Sequence, residues 1–291
     1  MVEITVDESV CKRDGLCAMA CVRGILEQKE RGGVPEVVRR ETCIDCGHCV
    51  AICPSGAISH SSFPEGSVGS VNAASMPTYE QVLELIRSRR SKRAFRDAPV
   101  EREVIEQMLE AARFAPSGHN AQGTMFAVIQ DRDRLHEIGS LTGESLRKLV
   151  KPFRSPVGRA FMRLMLDARQ IETIAGYAPE LVYLSDLYDE GTDVFLRNAP
   201  ALVLFHAEDN GGMAVIDASL ALQNATLAAE ALGLGCFYTG FVVMACMRDQ
   251  RIAEFLSLPA GHKIFGALAI GYPRLSFKKW PERKPARVTW L

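Results

Sequence analysis

The chain has 291 residues, 47% of them apolar, with 34 Lys and Arg against 35 Asp and Glu for a net charge of -1 at pH 7. That length suits about two domains, and the apolar content supplies a substantial core, which excludes wholesale disorder. A near-neutral balance without a basic tail excludes nucleic acid and anionic membrane surfaces as electrostatic partners.

The N-terminal stretch MVEITVDESV has neither a positive n-region nor an apolar h-region. Seven of the nine cysteines follow within the first 53 residues. Their C-x2-C rhythm, in a chain of this size, reads as metal binding and places the protein in a reducing compartment, the cytoplasm. Cys43, Cys46, Cys49 and Cys53 run C-x2-C-x2-C-x3-C-P, the spacing of bacterial iron–sulfur proteins, whose fourth cysteine serves the other cluster when two are present. Cys11, Asp14, Cys17 and Cys21 repeat that spacing with one carboxylate in place of a thiolate.

Assembled crosswise, the two groups give one site from Cys21, Cys43, Cys46 and Cys49 and another from Cys11, Asp14, Cys17 and Cys53. The alternative is a pair of structural zinc sites, but zinc usually joins two separate C-x2-C knuckles, whereas three ligands followed by C-P favour a cubane cluster. Carboxylate binds cluster iron more weakly than thiolate. The Asp14 side is therefore expected to hold either a 4Fe-4S cluster with a labile iron or a 3Fe-4S cluster, the other side a 4Fe-4S cluster. Asp14 could instead cap a turn beside Gly15.

Residues 61–76 are Ser/Gly-rich without hydrophobic periodicity and read as a flexible linker between a domain over 1–60 and one over 77–291. Thr78 and Gln81 form a capping box opening a helix through Val82, Leu83, Leu85 and Ile86. It ends in RSRRSKRAF, where Arg87, Arg89, Arg90, Ser91 and Arg93 could grip a phosphate or form a solvated basic face. A second helix carries Val104, Ile105, Met108, Leu109 and Ala112 and stops before Pro116. APSGHNAQ (115–122) reads as a loop.

MFAVI (125–129), ALVLFHA (201–207) and IFGALAI (264–270) read as strands, with mixed, mainly helical sequence over 140–198. A long helix spans about Ala214 to Leu232, with Gly233 and Gly235 suited to its C-terminal cap. Asp217, Asn224 and Glu230 interrupt it, so it is not a membrane span; Asp217 and Glu230 read as solvated or structural. GLGCFYTGF (233–241) reads as a second loop able to approach a planar ligand. Cys236 and Cys246 read as small core hydrophobes.

Residues 1–60 resemble the two-cluster bacterial ferredoxins, departing at Asp14 and at Val22, where a proline usually follows the cysteine. The three segments of residues 77–291, in this order and spacing, resemble the flavin-dependent nitroreductase family. That resemblance implies an α+β fold, a ferredoxin-like two-cluster domain followed by a nitroreductase-like domain, with an antiparallel-rich sheet and an intertwined homodimer carrying FMN at its interface. It implies that Arg89, Arg90, Ser91 and Arg93, joined by Arg283 and Lys284 of PERKP, hold the FMN phosphate and ribityl groups. Pro116, Ser117, Gly118, His119, Asn120 and Gln122 match the loop reaching the flavin from the partner subunit, with His119 either a flavin contact or a polar loop residue. Tyr238, Thr239 and Gly240 match the segment beside the isoalloxazine ring. Gly123 and Thr124 replace the Pro-Trp that often follows the glutamine, and Thr239 replaces an acidic residue, so the substrate stays open.

Clusters move single electrons and a flavin moves one or two. The combination implies an oxidoreductase that receives electrons through two clusters, from reduced ferredoxin or NAD(P)H, and reduces a nitro compound, quinone or enone on FMN. An electron-transfer adaptor and a redox sensor using the Asp14 side are the alternatives. No residue need act as a catalytic acid or base, and the lack of a strand-linked G-x-G-x-x-G decides nothing about nicotinamide.

Overall fold

The computed structural model describes residues 2–164 and 166–291. The chain divides into two compact units, one running to Pro77 and including Gly118–Ala121, the other comprising Thr78–Ser117 and Gln122–Leu291.

The first unit is built twice over the same local plan. β1 (Ile4–Val6) leads to α1 (Leu16–Ala20), β2 (Leu26–Glu27) and β3 (Glu36–Val37) form a hairpin, and α2 (His48–Ile52) leads to β4 (Ile58–His60). β1 and β4 pair antiparallel in register Ile4–His60. Gly15 (φ 74°, ψ 3°) and Gly47 (φ 70°, ψ 2°) precede the two helices in the same left-handed turn. A side chain would be strained there, and at Gly47 a Cβ would also press on the Phe63 ring at 3.0 Å. The core is small, with Ile4, Cys17, Ile25, Leu26 and Ile58 buried together. Residues 61–76, read as a linker, contain one short helical turn, Ala73–Ser75, capped by Asn72.

In the second unit, α3 (Tyr79–Ser88) opens on the expected reciprocal Thr78–Gln81 capping box. α4 (Arg102–Arg113) buries Ile105, Met108 and Ala112. β5 (Met125–Ile129), β6 (Ala201–Glu208), β7 (Gly235–Tyr238) and β8 (His262–Gly271) form one sheet in the order β5-β6-β8-β7, every pair antiparallel. Between β5 and β6 run α5 (Arg132–Val150), α6 (Pro156–Met162) and α7 (Ala168–Asp189), which keeps Pro179 inside it. α8 (Met213–Ala231) precedes β7, and α9 (Gly240–Cys246) and α10 (Arg251–Phe255) precede β8.

β6 is apolar throughout because both of its faces are covered. Ala201, Val203 and Phe205 join the cluster formed with α4 and α8, while Leu202 and Leu204 join Ile138, Val242 and Val243 from α5 and α9. Successive side chains of a strand point to opposite faces, so one eight-residue strand serves two cores.

Two sequence expectations are corrected. Residues 235–238, read within a loop, form β7, because a short apolar run between glycines carries too little periodicity to separate strand from loop. Gly235 thus opens a strand, and Gly233 alone, at φ 74°, follows α8 as its left-handed cap. Of the two readings left open for the acidic residues of α8, the structural one holds: Asp217 is buried and Glu230 is ion-paired. No helix among the described residues is long and apolar enough to cross a membrane.

Candidate functional site

Two constellations hold the residues singled out by sequence, one in each unit. In the first, the turn Arg13–Asp14–Gly15 recurs as Asp45–Cys46–Gly47, with Arg13 and Asp45 at φ 55° and 50°. Asp14 therefore occupies the structural position of Cys46. It is exposed, and its Oδ1 accepts the Leu16 backbone N–H at 3.1 Å, which leaves its second oxygen available.

The thiols gather crosswise. Burial pushes the Cys49 pKa up to about 11, reinforced by repulsion from Cys21, Cys43 and Cys46. Burial likewise raises Cys17, which feels Cys53 and Cys11. Ligation requires each thiol to give up its proton, and a bound iron cation would offset the repulsion among the thiolates so formed. Backbone donors already point at sulfur: the Ile25 N–H meets Cys21 Sγ at 3.1 Å and the Ala57 N–H meets Cys53 Sγ at 3.2 Å. At Cys53, burial raises the pKa but hydrogen bonds from Ser55, Ala57 and Gly56 outweigh it, so the net shift is downward. This donor set, seven soft thiolates and one carboxylate with backbone N–H groups aimed at sulfur, fits iron–sulfur clusters. None of the described cysteines is in a disulfide.

In the second unit, Arg89, Arg90, Ser91, Arg93 and Arg283 line one cavity of about 360 Å³ together with Phe277. Four guanidinium groups and a hydroxyl, with no carboxylate among the lining residues, suit a phosphate monoester. Lys284, grouped with them in sequence, is exposed and does not line the cavity. The segment is held against β7: Ser91 bridges Cys236, the Lys92 N–H donates to the Cys236 carbonyl at 3.0 Å, and Arg93 stands 5.4 Å over the Phe237 ring. Lys92 Nζ donates to both carboxylate oxygens of Glu230, each at 2.8 Å, with the two side chains 12% and 16% exposed. Sequence gave no signal for this pair, whose members lie in different elements. Cys236 stays inert, since burial pushes its pKa up to about 11.

Along the same strand, Tyr238 is exposed, Gly240 opens α9, and Thr239 is buried with its donors committed: its N–H to Ala267 O and its hydroxyl to Phe195 O, both at 3.0 Å. Thr239 thus shapes the turn, leaving Tyr238 and Gly240 as the neighbours for a planar ligand. In the loop after Pro116, Ser117 Oγ accepts the Gln122 N–H at 2.9 Å, and His119, Asn120 and Gln122 all adopt positive φ, 53°, 57° and 48°. Clustered backbone strain of this kind is a feature of ligand-binding loops. Within the first unit, Asn120 Nδ2 donates to the carbonyls of Ile44 at 3.2 Å and Asp45 at 2.8 Å, so its amide is already engaged.

Comparison with known proteins finds two family models along the chain. The 4Fe-4S dicluster domain model matches residues 5–57 and the nitroreductase family model matches residues 86–272. An FMN reductase [NAD(P)H] of Bacillus subtilis is 30% identical over 195 residues, 66% of each chain, so the match spans just under two thirds of that relative. A putative NADH dehydrogenase/NAD(P)H nitroreductase of Archaeoglobus fulgidus is 27% identical over 67% of this chain and 87% of its own. A nitroreductase of Bacteroides fragilis solved with bound FMN shares the fold at a TM-score of 0.53 and 22% identity, covering 72% of this chain and 98% of its own.

Because Lys92 and Glu230 are largely desolvated, removing one charge strands the other. Glu230→Gln is expected to lower the unfolding free energy by about 3 kcal/mol in urea denaturation, whereas Lys92→Met with Glu230→Met costs less than that single change.

Proposed function

The chain belongs to the nitroreductase family, and from that premise we propose that it is an FMN-dependent oxidoreductase fed by two iron–sulfur clusters, reducing an electron-poor organic acceptor such as a nitro compound, quinone or enone. The reading rests above all on the convergence of Arg89, Arg90, Ser91 and Arg93 with Arg283, from the far end of the sequence, around a cavity without a carboxylate. Residues 1–60 serve as the iron–sulfur domain and 77–291 as the FMN domain. When bound, the clusters supply one-electron transfer and FMN joins it to two-electron reduction.

The protein's own contribution is placement. The arginines neutralise a dianionic phosphate bidentately, and Ser91 adds a neutral donor. Tyr238 and Gly240, at the end of β7 and the start of α9, flank the expected ring position, and the loop of Pro116, Ser117, Gly118, His119 and Gln122 serves the flavin of the other subunit in the dimer. Cys21, Cys43, Cys46 and Cys49 hold a 4Fe-4S cluster, and Cys11, Asp14, Cys17 and Cys53 hold one of three or four irons. The reducing cytoplasm keeps these thiols available.

A homodimer is part of the reading. α8 is mainly apolar, with its polar residues not gathered on one face, yet Met213, Val215, Ile216 and Leu220 remain exposed. A helix with no polar face is normally buried, which supports its being covered by a second copy.

Anaerobic stopped-flow mixing of the holoprotein with NADH, NADPH or reduced ferredoxin tests the function: bleaching of flavin absorbance, followed by its recovery on adding a nitroaromatic or quinone, is expected. Flavin that is reduced but never reoxidised by any small acceptor would instead mark an electron-transfer adaptor. Replacing Arg89 and Arg93 by Ala removes charge-assisted bonds of about 1.5–3 kcal/mol each. The double variant should lose FMN on gel filtration while keeping its iron–sulfur absorbance.

The Asp14 carboxylate makes its cluster the labile one. Mild oxidation should produce a 3Fe-4S signal in electron paramagnetic resonance, reversible by ferrous iron and suppressed in Asp14→Cys. Equal iron retention in both proteins would mean that Asp14 only caps its turn.

A further inference from the structure

His60 was not among the residues that the sequence brought forward, yet its side chain is only 1% exposed. It closes β4 and tilts against Phe63, ring centroids 4.9 Å apart. Its neighbours fix the proton. The Ser62 backbone N–H can only donate, and it meets Nδ1 at 3.1 Å, so Nδ1 accepts and the hydrogen sits on Nε2.

Nε2 faces two acceptors, Cys43 Sγ at 3.6 Å and Asp45 Oδ1 at 3.7 Å. An N–H···O bond spans about 2.7–3.2 Å, so the carboxylate is out of reach, whereas the larger sulfur is bonded from farther away. Consistently, Asp45 Oδ1 is buried with no hydrogen-bond partner among the described residues.

The other half of the repeat lacks this contact. His60 lies seven residues after Cys53, as Gln28 lies seven after Cys21. Gln28 Nε2 donates to the carbonyls of Arg13 at 3.0 Å and Gly33 at 2.7 Å, hence to backbone oxygen and not to sulfur. The two sites, nearly equivalent in backbone, thus differ in one side-chain N–H···S bond.

Building on the reading of Cys43 as a ligand of the all-cysteine cluster, we propose that His60 is a positioning residue whose Nε2–H donates to Cys43 Sγ and raises the reduction potential of that cluster alone. Reduction puts negative charge on the cluster and its thiolates, and a hydrogen bond to sulfur stabilises the reduced form more than the oxidised one. The all-cysteine cluster then holds an electron more firmly than its ligands alone would allow.

The experiment uses the holoprotein. Pulsed electron paramagnetic resonance of protein made with 15N-histidine should show nitrogen hyperfine coupling to one reduced cluster that His60→Phe removes, which separates it from any coupling to His48 between Cys46 and Cys49. In redox titrations, His60→Phe should lower the midpoint of that cluster and leave the other unchanged, with His60→Gln, which keeps an N–H donor, recovering part of the shift. Gln28→Leu should move neither midpoint through a lost N–H···S bond. A normal reduced-cluster signal without that His60-dependent coupling, or an unshifted midpoint in His60→Phe, overturns this inference while leaving the cluster assignment standing. Absence of any cluster signal sinks both. The ligand atoms of Cys43, Asp45 and His60 also lie within 4.8 Å of one another. One extra equivalent of zinc or iron, lost in His60→Phe, would show a mononuclear metal there and likewise overturn the hydrogen bond.

Discussion

The antiparallel pairing of β6 with β8 is the constraint from which the larger unit is built. Eight residues of β6 are matched by β8, and both strands are buried on both faces. Water is thereby excluded from two ladders of backbone hydrogen bonds, and α4 with α8, and α5 with α9, must cover opposite sides. β7 extends the sheet beyond β8, and the arginine segment lies along β7 through its backbone. The cationic cavity is therefore placed by main-chain hydrogen bonds, which hold long, flexible guanidinium side chains close together despite their mutual repulsion.

That repulsion explains the character of the surrounding groups. Lys92, inside a run already dense with arginines, turns away from the cavity and is neutralised by Glu230 from α8. Arg90 and Arg93 rest over Phe277 and Phe237, and Arg87 over Trp280 at 4.3 Å, where ring faces favour cations. A bound dianion would complete the compensation that the protein alone leaves unfinished.

The smaller unit meets the opposite problem, with thiols crowded together that become negative once they lose their protons. Its answer is a repeated turn and helix opening at Gly15 and Gly47, followed by the Ile25 and Ala57 N–H groups aimed at the sulfurs of Cys21 and Cys53, over a core too small to be stable by apolar burial alone. Metal ligation then becomes part of folding, and the distinction between the two halves is left to single residues: Asp14 against Cys46, and Gln28 against His60.

Spacing alone carried much of this. The cysteine rhythm, the Thr78 capping box, the strand at 125–129 and the capping glycine after α8 are local patterns, in which each residue's role is set by neighbours within a few positions. The grouping of Arg89, Arg90, Ser91 and Arg93 was local as well, and the resemblance to known families joined Arg283 to it. Tertiary structure alone decided what depends on residues distant in sequence: that 235–238 is a strand, because its partner is β8; that Glu230 answers Lys92; that Lys284 stands outside the cavity; and that Asn120 is engaged by the carbonyls of Ile44 and Asp45. His60 is the clearest case, since a lone histidine ending a three-residue strand has no periodicity to give it away. Only the fold, by bringing the end of β4 against the Cys43–Cys46 turn, gives its Nε2–H a sulfur to meet.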